Sequence, residues 1–293
     1  MANFFSGRVP ALRTAGLPLV AHTVGLLWLI ATATALCQED STDKPGNKLL
    51  LLGQAPDDHP AATHEYMAGV RLLARLFRTW PDIQVDTASA DGNWDEGPAL
   101  VRRCDTAVLF LSEGARWIHD EPRRLEAFAQ LAARGGGLVA IHWGMGTREP
   151  QYIDGFLKLF GGCHGGPDRK YKVLETNVEI ADPTHPIVGG LRPLGLREEF
   201  YYQLKFAQDL AVKPVLKAEI DGNWETVAWA WERNDGGRSF GFSGCHYHEN
   251  WRHTEYRRLL VNAILWTLKR PIPAGGALVD ISDTALQLRS PGK

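Results

Sequence analysis

The stretch Gly135-Gly136-Gly137-Leu138-Val139-Ala140-Ile141-His142-Trp143-Gly144-Met145-Gly146 decides the fold of this chain. Residues 138–141 are a continuous apolar run too short for a helix and flanked by glycines. That pattern predicts a buried strand in the middle of a parallel sheet covered on both faces. His142 then arrives at the carboxyl end of the strand, where the loops of an open α/β sheet enclose a ligand crevice.

Upstream, residues 48–53 predict a first buried strand, followed by a loop over 54–60. Met67, Val70, Leu73, Ala74 and Phe77 recur at helical spacing within 61–78, and Pro81 stops that helix. Residues 83–86 predict a second strand, 96–103 a short helix and 106–112 a third strand. Asp120 is placed to cap the next helix, with Pro122 in its first turn and Leu125, Phe128, Ala129 and Ala132 as its apolar stripe until Gly135. Strands alternating with helices imply right-handed crossovers and a doubly wound parallel sheet.

Downstream the pattern changes. Residues 152–160 predict a helix, and Gly161-Gly162-Cys163-His164-Gly165-Gly166-Pro167 reads as a glycine-rich loop. Four strand-like runs follow, at 171–180, 200–206, 212–220 and 226–232. Few helices separate them, so they are expected as antiparallel additions to the sheet. Residues 240–246 predict a late strand returning to the core, and 256–268 a closing helix. The expected class is therefore α/β, a doubly wound, mostly parallel sheet with added antiparallel strands. The chain divides into a signal peptide at 1–36, a flexible lead-in at 37–47, one domain at 48–273 and a loosely packed extension at 274–293.

The signal reading rests on Arg8 and Arg13, an apolar segment over 17–30, and the run Ala31-Thr32-Ala33-Thr34-Ala35 with its small-residue cleavage pattern. It predicts export, to a periplasmic or extracellular location, with no stable membrane insertion after cleavage. Leu36 stands where a lipidation signal before Cys37 wants a small residue, so lipidation is not expected. With 293 residues and a formal net charge of −2, the chain has no electrostatic footprint for nucleic acid. A small or neutral ligand fits better, and the ten tryptophans suit sugar faces as well as the core. The four cysteines form no zinc or disulfide pattern.

Three clusters carry chemistry. His142 sits between glycines at a strand end, where a sharp turn projects a side chain into the crevice. In an extended His246-Tyr247-His248-Glu249, the two histidines share a face, as a metal pair or general base requires. Glu198-Glu199-Phe200-Tyr201-Tyr202 brings paired carboxylates into an aromatic strand, with Glu199 and Tyr201 on one face and only one acid directed inward. His164 is expected as an exposed residue of its glycine loop that reaches over the crevice. His59 and His64 lie on the carboxyl side of the first strand, where they can line the pocket, and helix capping and solvent exposure account for them equally well. His185, within Asp182-Pro183-Thr184-His185-Pro186, reads as a turn residue.

Residues 136–142, Phe160-Gly161-Gly162, Asp182-Pro183-Thr184-His185-Pro186, Glu198-Glu199-Phe200-Tyr201-Tyr202, Ala228-Trp229, Gly244-Cys245-His246 and the helix over 257–266 together resemble the ThuA-like, or trehalose-utilisation, family. That family lies within the class I glutamine amidotransferase-like superfamily, and the resemblance implies a flavodoxin-like fold. Where that superfamily carries its nucleophilic cysteine, Ile141-His142-Trp143-Gly144 has His142, so the glutaminase thiol is absent and no covalent amide hydrolysis follows. The resemblance implies a carbohydrate-related role, which together with the signal reading gives an exported protein that processes a disaccharide, glycoside or keto-sugar. The alternative is a non-catalytic module that binds a glycan or a protein. His142, His246 and Glu199 are the expected catalytic residues and the expected ligands of a divalent metal such as zinc. Trp143, His164, Tyr201, Trp229 and His248 are the expected contacts to a small carbohydrate.

Overall fold

A computed structural model describes residues 46–208 and 211–288. The signal reading over 1–36 lies outside the described residues. The first half alternates strands and helices: β1 (Asn47–Gly53), α1 (Tyr66–Leu76), β2 (Ile83–Ser89), α2 (Gly97–Arg103), β3 (Thr106–Phe110), α3 (Gly114–His119), α4 (Pro122–Ala133) and β4 (Gly137–Ile141). The second half holds β5 (Gly146–Thr147), α5 (Ile153–Phe160), β6 (Gly162–Gly165), β7 (Lys170–Ile180), β8 (Leu194–Tyr202), β9 (Lys205–Phe206), β10 (Lys213–Ile220), β11 (Asn223–Glu232) and β12 (Arg238–Phe242). It closes with α6 (Thr254–Thr267) and α7 (Asp283–Leu286).

Nine strands form one sheet in the order β2-β1-β3-β4-β12-β11-β10-β7-β8. The first five are parallel, in the sequence of a flavodoxin-like sheet, and the remaining four join antiparallel, as expected. Leu49 and Leu51 of β1 pack with α1 and α6 on one face, while Leu50 and Leu52 pack with α2 to α5 on the other. Burial on both faces is why these strands read as unbroken apolar runs. Register then positions the site. Ile141 pairs with Phe242, so the residues that follow, His142 and Ser243, leave the carboxyl edge side by side. Four strands separate β4 from β8 in the order, yet Glu199 of β8 comes within 3.8 Å of His142. The twisted sheet therefore coils until its antiparallel edge returns over the carboxyl ends of the parallel half.

Several local expectations are corrected. The first helix starts at Tyr66 and not at 61, because Thr63 bridges to Tyr247 and the His64 N–H donates to the His246 carbonyl. A third helix, α3, ends at His119 with Asp120 as its C-cap, so Glu121 takes the cap of α4 and accepts the Arg124 N–H. The glycine-rich segment at 161–167 contains a strand, β6, paired parallel to β5 and antiparallel to β9. Its glycine is a packing requirement: a Cβ on Gly162 would stand 2.5 Å from the Trp229 ring. Over the described part of the C-terminal extension, Ala277, Val279 and Leu286 are buried. Arg257 donates to the Val279 carbonyl and Asn262 accepts the Ala277 N–H, so this segment is docked on α6. Among the described residues, no helix is long and apolar enough to cross a membrane.

Candidate functional site

His142 begins a short 3-10 turn directly after β4, with a left-handed φ of 50°. Gly144 lets this turn fold back, since a Cβ there would meet the Leu109 carbonyl oxygen at 2.5 Å. His64 has φ 52°, and Cys245, the neighbour of His246, has φ 84°. Left-handed backbone at non-glycine residues is costly, of the order of 1–3 kcal/mol each, and persists where surrounding contacts over-determine it. Here it accompanies three imidazoles that point at one another.

The donor atoms of His64, His142, His246 and Glu199 all lie within 4.8 Å of one another. The His142 Nδ1–H donates to the Ser243 carbonyl at 2.7 Å, which leaves its Nε2 as an acceptor. Likewise, the His64 Nδ1–H donates to Asp57 Oδ2 at 2.8 Å, and its Nε2 faces His142 Nε2 at 3.0 Å. His246 Nδ1 stands 3.3 Å from His142 Nε2 and 3.5 Å from Glu199 Oε1. The Tyr201 hydroxyl, 3.0 Å from His142 Nε2, can satisfy one of these lone pairs. His64 Nε2 is still aimed at another ring nitrogen.

Burial holds all three rings neutral. It pushes His142 well below the ordinary histidine value, with the neighbouring His64 and His246 adding to the effect. Burial, with His64 and His59 adding to it, takes His246 down to about 3. His64 is lowered by burial too, although Asp57 pulls the other way. Burial alone would raise Asp57, but its bonds to His64 and His59 hold it below its ordinary value and therefore ionised. Glu199 is pushed up to about 7 by burial and by the adjacent Glu198. Neutral imidazoles with lone pairs converging beside a carboxylate are the donor set of a transition-metal site. A tetrahedron with metal–ligand bonds of about 2.0–2.1 Å has edges of about 3.3–3.4 Å. Four of the six separations, 3.0, 3.3, 3.5 and 3.8 Å, scatter around that value, and all six are within 4.8 Å. His64–Asp57 and His142–Ser243 are also the outer contacts that fix the tautomer of a metal-bound histidine.

A cleft opens onto this cluster, lined by His59, His64, Trp143, Arg148, His164, Arg169, Tyr171, Glu199 and Tyr201. His164 is not an exposed loop residue. It is 2% exposed and stacks on Tyr201, with ring centroids 3.9 Å apart and an 8° interplanar angle, because β6 fixes it between β5 and β9. Burial pushes it down to about 3, with Arg169 and Lys205 contributing.

Two expected sugar contacts lie elsewhere. Trp229 is fully buried in the core and donates its Nε1–H to the Phe160 carbonyl. His248 leaves the face of His246 because a 3-10 turn begins there, and its Nε2–H donates to the Leu286 carbonyl. The paired carboxylates are both inside, since the coiled sheet covers both faces of β8. Glu199 faces the imidazoles. Glu198, wholly buried, accepts from the backbone N–H groups of Glu199, Cys245 and Tyr247, from the Asn250 amide and from the Tyr256 hydroxyl. It thereby fastens β8 to the residues on either side of His246. Cys163 and Cys245 are buried, and burial raises both thiols, Cys163 to about 12.

Sequence reasoning placed His64 at the pocket lining, where the structure has it, but missed its part in the imidazole cluster and the roles of Asp57 and Glu198. The usable signal for His64 was its place in the loop after β1, on the same carboxyl edge as His142.

The trehalose-utilisation family, ThuA, matches residues 57–267. No curated protein matches the chain. Among solved structures, the chain is similar to a putative ThuA-like protein from Bacteroides uniformis (TM-score 0.59, 17% identity, 80% of this chain and 95% of that one). It is also similar to a cytoplasmic protein from Salmonella typhimurium (TM-score 0.50, 16% identity, 75% and 98%). A third likeness, to the GH42 β-galactosidase Gan42B, covers 78% of this chain and 31% of that one (TM-score 0.50, 13% identity). At these identities the likeness is one of fold. The family match covers well over half of the sequence, and the chain belongs to the ThuA, or trehalose-utilisation, family.

Proposed function

We propose that this protein is an exported carbohydrate-processing enzyme whose reaction centre is the cluster of His64, His142, His246 and Glu199. The observation that carries the proposal is the pair of imidazole acceptors facing each other at 3.0 Å, each with its other nitrogen already committed. A divalent cation shared by the four side chains resolves that conflict. Three imidazoles and one carboxylate suit zinc, iron, nickel or manganese better than calcium or magnesium, which prefer all-oxygen sites. Such an ion supplies Lewis acidity toward a carbonyl or hydroxyl oxygen.

The surrounding residues have separable tasks. The stacked rings of His164 and Tyr201, with Trp143 across their edges, wall the cleft against water. Tyr171, 57% exposed at the cleft, offers an aromatic face to a sugar ring. The Tyr201 hydroxyl is placed to hydrogen-bond a substrate oxygen that reaches the histidines. Export is supported by Arg8, Arg13, the apolar segment and the small residues before Cys37.

Metal analysis of purified protein, with turnover assayed on oxidised disaccharides, is the direct test. The expected result is about one metal per chain, lost together with turnover in His64→Ala, His142→Ala and His246→Ala. Wild-type protein without metal after reconstitution, or variants that turn over normally, would falsify the proposal. Tight sugar binding with no turnover would favour a binding module instead.

A further inference from the structure

We infer that the cleft takes an anionic carbohydrate, a sugar bearing a carboxylate or a phosphate, and that Arg169 receives the negative group. This rests on the reaction centre proposed above and adds the class of its substrate. Two guanidiniums flank Trp143, with Cζ of Arg148 5.5 Å and Cζ of Arg169 5.8 Å from its ring centroid. They are not equivalent. Arg148 is neutralised by Glu113, whose carboxylate pairs with its guanidinium and also accepts its backbone N–H. Arg169 donates to the Gly166 carbonyl and, among the described residues, pairs with no carboxylate. The acid in its own turn, Asp168, is taken by Lys205, whose Nζ is 2.9 Å away. Of the five guanidinium N–H groups, one bond accounts for one, which leaves a fork suited to two oxygens of a carboxylate or phosphate.

The placement relative to the centre supports this. Tyr201, which touches His142, and Trp143, which touches Arg169, line one continuous cleft. The other polar groups on its lining face the reaction centre or each other: Glu199 lies against His142 and His246, where the proposed cation would balance it, and the His59 ring is hydrogen-bonded to Asp57. A neutral sugar would leave Arg169 without a counter-charge, whereas an anionic one completes the lining.

The test is calorimetric titration of the metal-loaded protein and its Arg169→Gln variant with D-glucose, D-glucuronate and D-glucose 6-phosphate. At least one anionic sugar is expected to bind tenfold or more tightly than glucose, as a charge-assisted hydrogen bond provides. The Gln variant should lose that margin while keeping wild-type metal content. Preference for glucuronate identifies the carboxylate, and preference for the phosphorylated sugar identifies the phosphate. The inference is overturned if glucose binds as tightly as both anions, if none of the three binds, or if Arg169→Gln keeps the preference. Metal content, measured on the same samples, reports separately on the reaction centre, so either reading can fail alone.

Discussion

His64 and His142 lie 78 positions apart and meet Nε2 to Nε2 at 3.0 Å, each ring anchored through Nδ1 by an acceptor that fixes its tautomer. The Ser243 carbonyl follows automatically from the pairing of β4 with β12. Asp57 does not, since it comes from the loop after β1 and serves His64, Tyr66 and His59 together.

Asp57→Asn is therefore expected to weaken metal binding by about 10–100-fold, the usual effect of losing an outer partner of a ligating histidine. The amide can still contact His64, so the fold should survive. Chelator competition measures the affinity, and circular dichroism checks the fold. An unchanged affinity would remove Asp57 from the site.

Glu198 gives a second prediction with a different signature. Glu198→Gln keeps the volume but points an NH₂ group at one of the donors that now meet a carboxylate oxygen. One buried donor then loses its partner, at a cost of about 1–3 kcal/mol. Urea unfolding of metal-free protein should show that loss. Because Glu198 ties the backbone N–H groups of Cys245 and Tyr247 to β8, metal affinity should fall as well. Lowered stability with unaltered affinity would make Glu198 a purely structural acid.

The fold was legible because its signals are local. Leu49 to Leu52 announce a strand buried on both faces without reference to anything else in the chain. The elbow at His142, and the choice of His246 and Glu199, followed from strand ends at a carboxyl edge. What escaped depends on long-range geometry. His64 reaches the site through a left-handed backbone and an isolated bridge to Tyr247. Glu198 is buried only because the sheet coils. The pairing of His246 with His248 assumed that a strand continues past Phe242, but the left-handed Cys245 and the 3-10 turn at His248 end it. The strand Gly162–Gly165 was hidden by its glycines, whose missing side chains make room for Trp229 and Ile153.

Acid stability is expected to depend in part on His185, which is outside the site. Its Nδ1 accepts the Ile187 N–H, so the ring must stay neutral, and burial holds its pKa below 6.5, with Asp182 opposing. Below pH 6.5 the unfolded chain binds this proton before the folded chain does. Stability from His185 is thus fully present above that pH and lost as pH falls toward the lowered folded value. Asn at the same position can cap the 3-10 turn without titrating. The stability of wild type minus that of His185→Asn, measured by urea unfolding, should fall from pH 7.5 to pH 5.5. A gap independent of pH would show that the ring does not titrate on unfolding.

Trp229 and Tyr171 separate packing from recognition. Trp229→Phe keeps an aromatic ring against Gly162 and Gly241 but strands the Phe160 carbonyl, at a cost of about 1–3 kcal/mol. Sugar affinity should not change, since the ring has no face on the cleft. Tyr171→Ala removes a side chain that is 57% exposed, so stability should move by no more than about 0.5 kcal/mol. Yet Tyr171 lines the cleft, and its loss should weaken sugar binding several-fold. Unfolding curves and sugar titrations on the two variants give four numbers that should cross, with stability lost in one variant and affinity in the other. If both variants lost sugar affinity in proportion to stability, Tyr171 would be no more a recognition residue than Trp229, and the binding face would have to be sought away from β7.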